Sequence, residues 1–307
     1  MRVALKDLCK RFGKVVAVDN LNLEVEHSEF ICLLGPSGCG KTTTLLMVAG
    51  IYKPTSGYVY FDDRVVNELP PKDRNIGMVF QSYALYPHMT VFENITFPLT
   101  LKKVPKEEMR ERTQRVAEML GIGQLMERKP AQLSGGQQQR VAVARALVKE
   151  PDVLLFDEPL SNLDAKLRLR MRGELKRLQM ELGITSIYVT HDQVEAMTMA
   201  DRIAVMNEGV LQAYAPPEQL YDHPETMFVA AFIGSPPMSF LTMNFVEQGD
   251  GFYLKGKGLN LRLPDEKGQL AKRNNAPFEV VMGIRPEDIT CLLYTSDAAV
   301  EGLGVDL

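Results

Sequence analysis

Cysteine is scarce in this chain, neither sign of charge dominates, and no apolar run approaches the length of a bilayer. The four cysteines among 307 residues are Cys9, Cys32, Cys39 and Cys291. None forms a C-x-x-C pair, and four are too few for a disulfide-built scaffold. A reducing, cytosolic setting is the simplest reading. Lys and Arg total 35 against 39 Asp and Glu, a net charge of −4, so nothing points to nucleic acid as the main partner. A membrane-spanning helix needs about 20 consecutive apolar residues, and no such run is present. The opening stretch "MRVALKDLCKRFG" has no apolar core of the secretory type. Internal repeats and low-complexity tracts are also missing.

What is present is enough apolar residue for a sizeable core: 45% of the chain is hydrophobic and 24% charged. Within "FICLLGPSGCGKTTTLLMVAG" (30–50), residues 30–34 read as a buried strand and Lys41 onward as a helix. Between them, residues 35–42 match G-x-x-x-x-G-K-[ST]. Glycines let backbone N–H groups curl around phosphate oxygens, and a helix N-terminus adds partial positive charge. The residues expected to hold a nucleotide here are Gly35, Pro36, Ser37, Gly38, Cys39, Gly40, Lys41, Thr42 and Thr43. Lys41 suits the terminal phosphates, and the Thr42 hydroxyl suits Mg²⁺.

"PDVLLFDEP" (151–159) is a second apolar run, ending in Asp157 and Glu158. Ligands of open α/β sheets bind beyond the carboxyl ends of the strands, so both acids are placed to face phosphate. Asp157 fits a metal shell, through water, and Glu158 fits a general base for the attacking water. Two solvated acids closing a strand are the alternative, and the phosphate loop decides against it. "TSIYVTHD" ends in His191, which suits a γ-phosphate or water contact. Asp192 and Glu195 then read as a capping box for the next helix. Gln81 also closes an apolar run, in "NIGMVFQ", where its amide oxygen suits a metal; alone it carries no weight.

"LSGGQQQRVAVARAL" (133–147) starts a helix, with Ser134 and Gln137 in capping-box positions. Gly135 and Gly136 then fall in the first turn, where each costs up to about 1 kcal/mol against alanine. Capping does not require them. Close approach of something to that backbone does.

Taken together and in this order, these segments resemble the ATP-binding subunit of an ABC transporter. The likeness rests on the phosphate loop at 35–42, Gln81, the signature at 133–137, the strand and acids at 153–158, "SNLD" at 161–164, and His191. It covers most of residues 1–235. The resemblance implies an α/β P-loop ATPase with antiparallel β and helical subdomains, using ATP and Mg²⁺. It implies a head-to-tail dimer, of two copies or of close paralogues, in which Ser134, Gly135, Gly136, Gln137 and Asp164 of one subunit complete the site of the other. Thr42, Gln81 and Asp157 are the implied metal residues, and Glu158 and His191 the catalytic ones. Phe12 falls at the adenine-stacking position, with a core aromatic as the alternative reading.

The same resemblance divides the chain into an ATPase domain at 1–235, with a helical subdomain at about 82–150, and a partial, OB-like β domain at 236–290. "FIGSPPM" and "MGIRPEDI" resemble the maltose, glycerol-phosphate and multiple-sugar import type. A barrel stopping near 290 leaves sheet edges uncovered, and weak order is expected there. "CLLYTSDAA" resembles a translated sequencing adapter, so residues 291–307 are expected to be non-native. The implied partners are membrane permease subunits and, indirectly, a solute-binding protein, with the chain peripheral on the cytoplasmic face. "YALYPHMTVFENITFPL" is the expected permease contact, against internal aromatic packing. The basic face of "DAKLRLRMRGELKRLQMELG" reads as solvated. A non-transport ATPase of the same superfamily, acting on ribosomes or DNA, is the alternative function. A non-enzymatic nucleotide-binding module is opposed by Asp157 and Glu158.

Overall fold

The computed structural model describes residues 1–249 and 251–289. The expected non-native tail, 291–307, lies outside the described residues. The chain forms two compact units, Met1–His223 and Pro224–Leu307. The division falls ahead of the boundary at 235–236 that the resemblance implies.

The first unit opens with an antiparallel sheet. β1 (Val3–Phe12) pairs with β2 (Val15–Val25) on one side and on the other with β4 (Ser56–Phe61), which carries the short β5 (Arg64–Val65). Between these, β3 (Phe30–Leu34) and helix α1 (Lys41–Val48) flank the phosphate loop, with the bounds the sequence suggests. β3 belongs to a six-stranded sheet with β6 (Ile76–Val79), β7 (Val153–Asp157), β8 (Thr185–Thr190), β9 (Arg202–Asn207) and β10 (Val210–Ala215). Its order is β10-β9-β3-β8-β7-β6, parallel throughout except for the edge hairpin of β10 with β9.

A parallel sheet is covered on both faces, which is why its strands are continuous apolar runs. Successive side chains alternate faces. Ile31, Leu33, Leu155, Ile187 and Val189 pack with Leu45, Met47 and Val48 of α1 and with Leu5, Leu21 and Val59 of the antiparallel sheet. The residues between them face the other way, where Tyr188 touches Phe30 and Phe156 through ring contacts of 5.7 and 5.8 Å.

Between β6 and β7 lie α2 (Val91–Leu101), α3 (Lys106–Met119) and α4 (Gly135–Leu147). Thr90 and Glu93 form a reciprocal capping box at the start of α2. α3 buries Thr113, Val116 and Ala117. The long helix α5 (Ala165–Leu182) buries Met171, Leu175 and Leu178 from its apolar stripe. α6 (Gln193–Met199) follows β8, and α7 (Pro217–Asp222) closes the unit. Among the described residues no helix is long and apolar enough to cross a membrane.

The second unit contains α8 (Met227–Phe232), β11 (Ser239–Gln248), β12 (Gly251–Gly256), β13 (Leu259–Arg262), α9 (Asp265–Arg273) and β14 (Glu279–Ile284). Its strands form one antiparallel sheet, β13-β12-β11-β14. The sequence pieces "GFYLKG" and "LNLRL" are β12 and β13. The buried guanidinium of Arg285, from "MGIRPEDI", donates to the Ile233 carbonyl at 2.7 Å.

Candidate active site

Strand register gathers the chemistry. Leu34 lies opposite Thr190, Val189 opposite Asp157, and Phe156 opposite Val79. The phosphate loop, the two acids, His191 and Gln81 therefore all follow the carboxyl ends of neighbouring parallel strands, on one edge of the sheet.

In the loop, Gly38 and Gly40 have φ of +81° and +100°. A Cβ on Gly40 would lie 2.3 Å from the Ala17 carbonyl oxygen, so only glycine fits. Lys41 is buried, and its Nζ donates to the carbonyls of Gly35 and Pro36, each at 2.8 Å. Pro36, Ser37 and Gly38 are exposed, whereas the Cys39 side chain is buried, so Cys39 can meet a phosphate only through its backbone. Thr43 is half-buried.

The Thr42 hydroxyl donates to Asp157 Oδ1 at 2.9 Å. Burial, chiefly, raises the Asp157 pKa above its ordinary value; Glu158 adds to the rise, while the Thr42 bond and Lys41 oppose it. A desolvated carboxylate beside a hydroxyl is an oxygen donor pair that a hard cation would satisfy. Among the described residues no group of three or more His, Cys, Asp or Glu side chains is placed to hold a metal ion by itself. A cation held here would need phosphate and water to complete its shell. Gln81 is exposed, and its carbonyl accepts from Asn162 Nδ2 at 2.8 Å.

Glu158 stands beside this pair. Its φ is +45°, a conformation that costs a non-glycine residue roughly 1 kcal/mol or more. Its N–H donates to Val189 O at 3.0 Å, its carbonyl accepts from the Ser161 hydroxyl at 2.9 Å, and its Oε2 lies 3.0 Å from His191 Nδ1. The unusual backbone thus turns the carboxylate toward the histidine.

Ser134 is the N-cap of α4. Gln137 N–H donates to its Oγ at 3.4 Å, and Ser134 N–H donates to Gln137 Oε1 at 3.0 Å. The serine's own O–H is left to donate elsewhere. The two glycines also have a partner inside this chain. A Cβ on Gly135 would come within 3.1 Å of Leu163, and one on Gly136 within 3.0 Å of Leu167. No hydrogen bond or ion pair among the described residues joins 134–137 to the 35–43 loop. Asp164 caps α5, accepting from Leu167 N–H at 2.9 Å. Phe12 is 45% exposed, edge-on to Tyr52 at 5.4 Å, with the Lys10 ammonium 5.0 Å from its ring centre. It is therefore not a core aromatic.

Two expectations need correction. Asp192 does cap α6, accepting from Val194 and Glu195 N–H, but Glu195 does not reach back. Asp192 N–H goes instead to Thr190 Oγ1 at 3.0 Å. Glu195 is 3% exposed and accepts from the Tyr188 and Thr190 hydroxyls, both at 2.8 Å. Buried hydroxyls need acceptors, and two on one face of β8 draw the carboxylate inward. The basic face of α5 is likewise not wholly solvated: Arg172 is 13% exposed in its side chain and pairs with Asp192 at 2.7 Å. Arg168 also turns inward. The signal for both was the i, i+4 spacing of Arg168 and Arg172, which puts them on one side of the helix.

Comparison with known proteins agrees with this geometry. The ABC transporter family matches residues 18–161, and the MalK OB fold domain matches residues 234–289. The trehalose/maltose import ATP-binding protein MalK of Thermococcus litoralis is 58% identical over 293 residues, spanning 94% of this chain and 78% of that one. The osmoprotective compounds uptake ATP-binding protein GgtA of Synechocystis is 54% identical, spanning 94% and 78%. The sn-glycerol-3-phosphate import ATP-binding protein UgpC of Ralstonia nicotianae is 47% identical, spanning 99% and 85%. A dimeric structure of the bacterial ABC transporter cassette MJ0796 superposes with a TM-score of 0.63 at 36% identity, covering 70% of this chain and 98% of that one. With a phosphate loop, a paired acid and histidine, and relatives of this closeness, the chain belongs to the ABC transporter family, as an ATP-binding ATPase subunit.

Proposed function

We propose that the chain powers import of sugars or related small solutes, as a peripheral subunit on the cytoplasmic face of two membrane permease subunits. The names of its relatives support import, and the permease, with an associated solute-binding protein, would choose the cargo. Nucleic acid has no role in this reading. The domains are an ATPase region at 1–235, its helical subdomain at about 82–150, and an OB-like domain at 236–290.

The observation that carries the chemistry is the adjacency of Thr42–Asp157 and Glu158–His191 on one sheet edge. ATP lies along residues 35–43 with its adenine on Phe12, and Lys41 exchanges loop carbonyls for phosphate oxygens. Mg²⁺, held by Thr42 with Asp157 and Gln81 directly or through water, would draw charge from the β- and γ-phosphates. Glu158 takes a proton from water as the oxygen attacks the γ-phosphorus and the bond to ADP breaks. His191 holds Glu158 and the water in place. Ser134, Gly135, Gly136, Gln137 and Asp164 come from a second copy, or a close paralogue, so that ATP closes the dimer and hydrolysis opens it.

For the permease contact, a cleft of about 250 Å³ is lined by Tyr86, Phe97, Pro98, Arg145 and Lys149. Arg145 donates to the Tyr83 and Ala84 carbonyls at 2.9 and 2.7 Å, holding two successive left-handed residues just after Gln81. This lining would suit apolar and acidic side chains of a permease segment.

Glu158→Gln tests the reading. It should leave ATP binding intact, cut phosphate release by about 10²–10⁴, and accumulate an ATP-bound dimer on size exclusion. Full turnover would remove Glu158 from the mechanism.

A further inference from the structure

Arg168 lies one turn into α5, and its guanidinium folds back over the start of the helix. Nη2 donates to the carbonyls of Leu163 at 3.1 Å and Ser161 at 3.4 Å, while Nη1 reaches Asp192 Oδ2 at 3.5 Å. Asp192 directly follows His191. Arg172 holds the same carboxylate oxygen at 2.7 Å, and Asp192 Oδ1 caps α6. The residue before the histidine, Thr190, is fixed by Glu195 and by Asp192 N–H. On the other side of the guanidinium, Ser161 bonds the Glu158 carbonyl and Asn162 bonds the Gln81 carbonyl. One side chain therefore grips both the 161–163 backbone and the residue that positions His191.

Stability alone does not account for an arginine here. Its Nε is buried without an acceptor among the described residues, a loss that an apolar side chain of similar length would avoid. Asn162 and Asp164 are exposed, so a neighbouring molecule can move this segment from outside, while the arginine holds it from within.

We propose that Arg168 is a positioning residue that makes the placement of His191 and Glu158 depend on the placement of residues 161–164. The inference rests on the assignment of Glu158 and His191 above. It adds that the state of the neighbouring subunit, which contacts 161–164 in that reading, is passed to the hydrolytic pair through one guanidinium.

The test uses the full chain with Arg168→Met, Arg168→Lys and Asp192→Asn, the last keeping a capping oxygen while removing the charge. A fluorescent ATP analogue gives Kd, phosphate release gives kcat, and melting gives stability. Arg168→Met should lower kcat by about ten- to a hundredfold, the scale expected for a misplaced catalytic group, with Kd within about twofold. Arg168→Lys should recover part of the rate. The Arg168→Met/Asp192→Asn double variant should lose no more than the worse single variant, since both cut one link. An unchanged kcat in folded Arg168→Met, rate losses that only follow the folded fraction, or additive losses in the double variant would each overturn the proposal. Glu158→Gln is run alongside. If it is inactive while Arg168→Met is normal, only the Arg168 link fails; if it turns over normally, the site assignment itself fails.

Discussion

Replacing Arg74 by methionine would strip the carboxyl end of the phosphate-loop helix of its partner. Arg74 is 3% exposed. Its Nη1 donates to the carbonyls of Met47 and Val48, the last two residues of α1, at 2.9 and 2.8 Å. Its Nε donates to Leu69 O at 2.8 Å, and its Nη2 reaches Asn67 O at 3.4 Å. Among the described residues no carboxylate pairs with it, and burial lowers its pKa from the usual arginine value. Three good bonds from a charged donor, at about 1.5–3 kcal/mol each, give a gross contribution of about 4–9 kcal/mol. Burying an unpaired cation takes back several kcal/mol. The favourable position of a cation at a helix carboxyl end returns up to about 2 kcal/mol. A net loss of about 2–4 kcal/mol remains for Arg74→Met. In a unit of this size that corresponds to a melting-temperature drop of about 4–16 °C. Arg74→Lys should recover less than half, because one ammonium cannot span carbonyls on two segments. Thermal melts followed by circular dichroism measure both. A fall of less than about 2 °C for methionine would mean that the carbonyl bonds contribute nothing net, and the reasoning would fail.

Lys149 has a lowered pKa, from burial first and then from Lys102. Burial penalises its charged form, a cost that the unfolded chain does not bear. Lys149→Met should therefore raise the melting temperature of the isolated chain at pH 7. The gain should shrink as pH rises through the lowered value, where the native lysine sheds its proton; a gain that grows with pH would contradict this. For Phe12, base–aromatic stacking is worth about 1–3 kcal/mol, so Phe12→Ala should weaken binding of a fluorescent ATP analogue by about five- to 150-fold. Inorganic triphosphate, which has no base, should bind the variant and the parent equally, and an equal loss for both ligands would place Phe12 elsewhere.

The parts of the site legible in sequence are those fixed by a local pattern. The glycines and lysine of 35–42 define their own loop, and apolar runs ending in acids or histidine mark buried parallel strands. Ser134 and Gln137 meet across three residues, so their bond is visible in the sequence too. What escaped the sequence depends on neighbours far along the chain. Glu195 sits where a capping residue belongs, yet hydroxyls of β8 beneath it decide its direction. The inward turn of Arg168 and Arg172 depends on Asp192, which α5 meets only after the chain has crossed to β8 and back. Arg74 looks like one charge in a polar loop, because its acceptors are main-chain carbonyls and leave no sequence signature. The sheet order that makes Asp157 and Thr42 neighbours is equally absent from either segment.

The seating of α4 on Leu163 and Leu167 has a consequence for how this helix can evolve. A Cβ at either glycine would press on a leucine of this same chain, Leu163 or Leu167, and the proposed approach of a second copy would add a demand from outside. Alanine at either position would need the leucine below it to give by a few tenths of an ångström. Relief would require recutting the leucine below, and that leucine lies beside the residue that caps α5. How freely these positions can be substituted thus depends on how far Leu163 and Leu167 yield, which ties the tip of one helix to the root of the next.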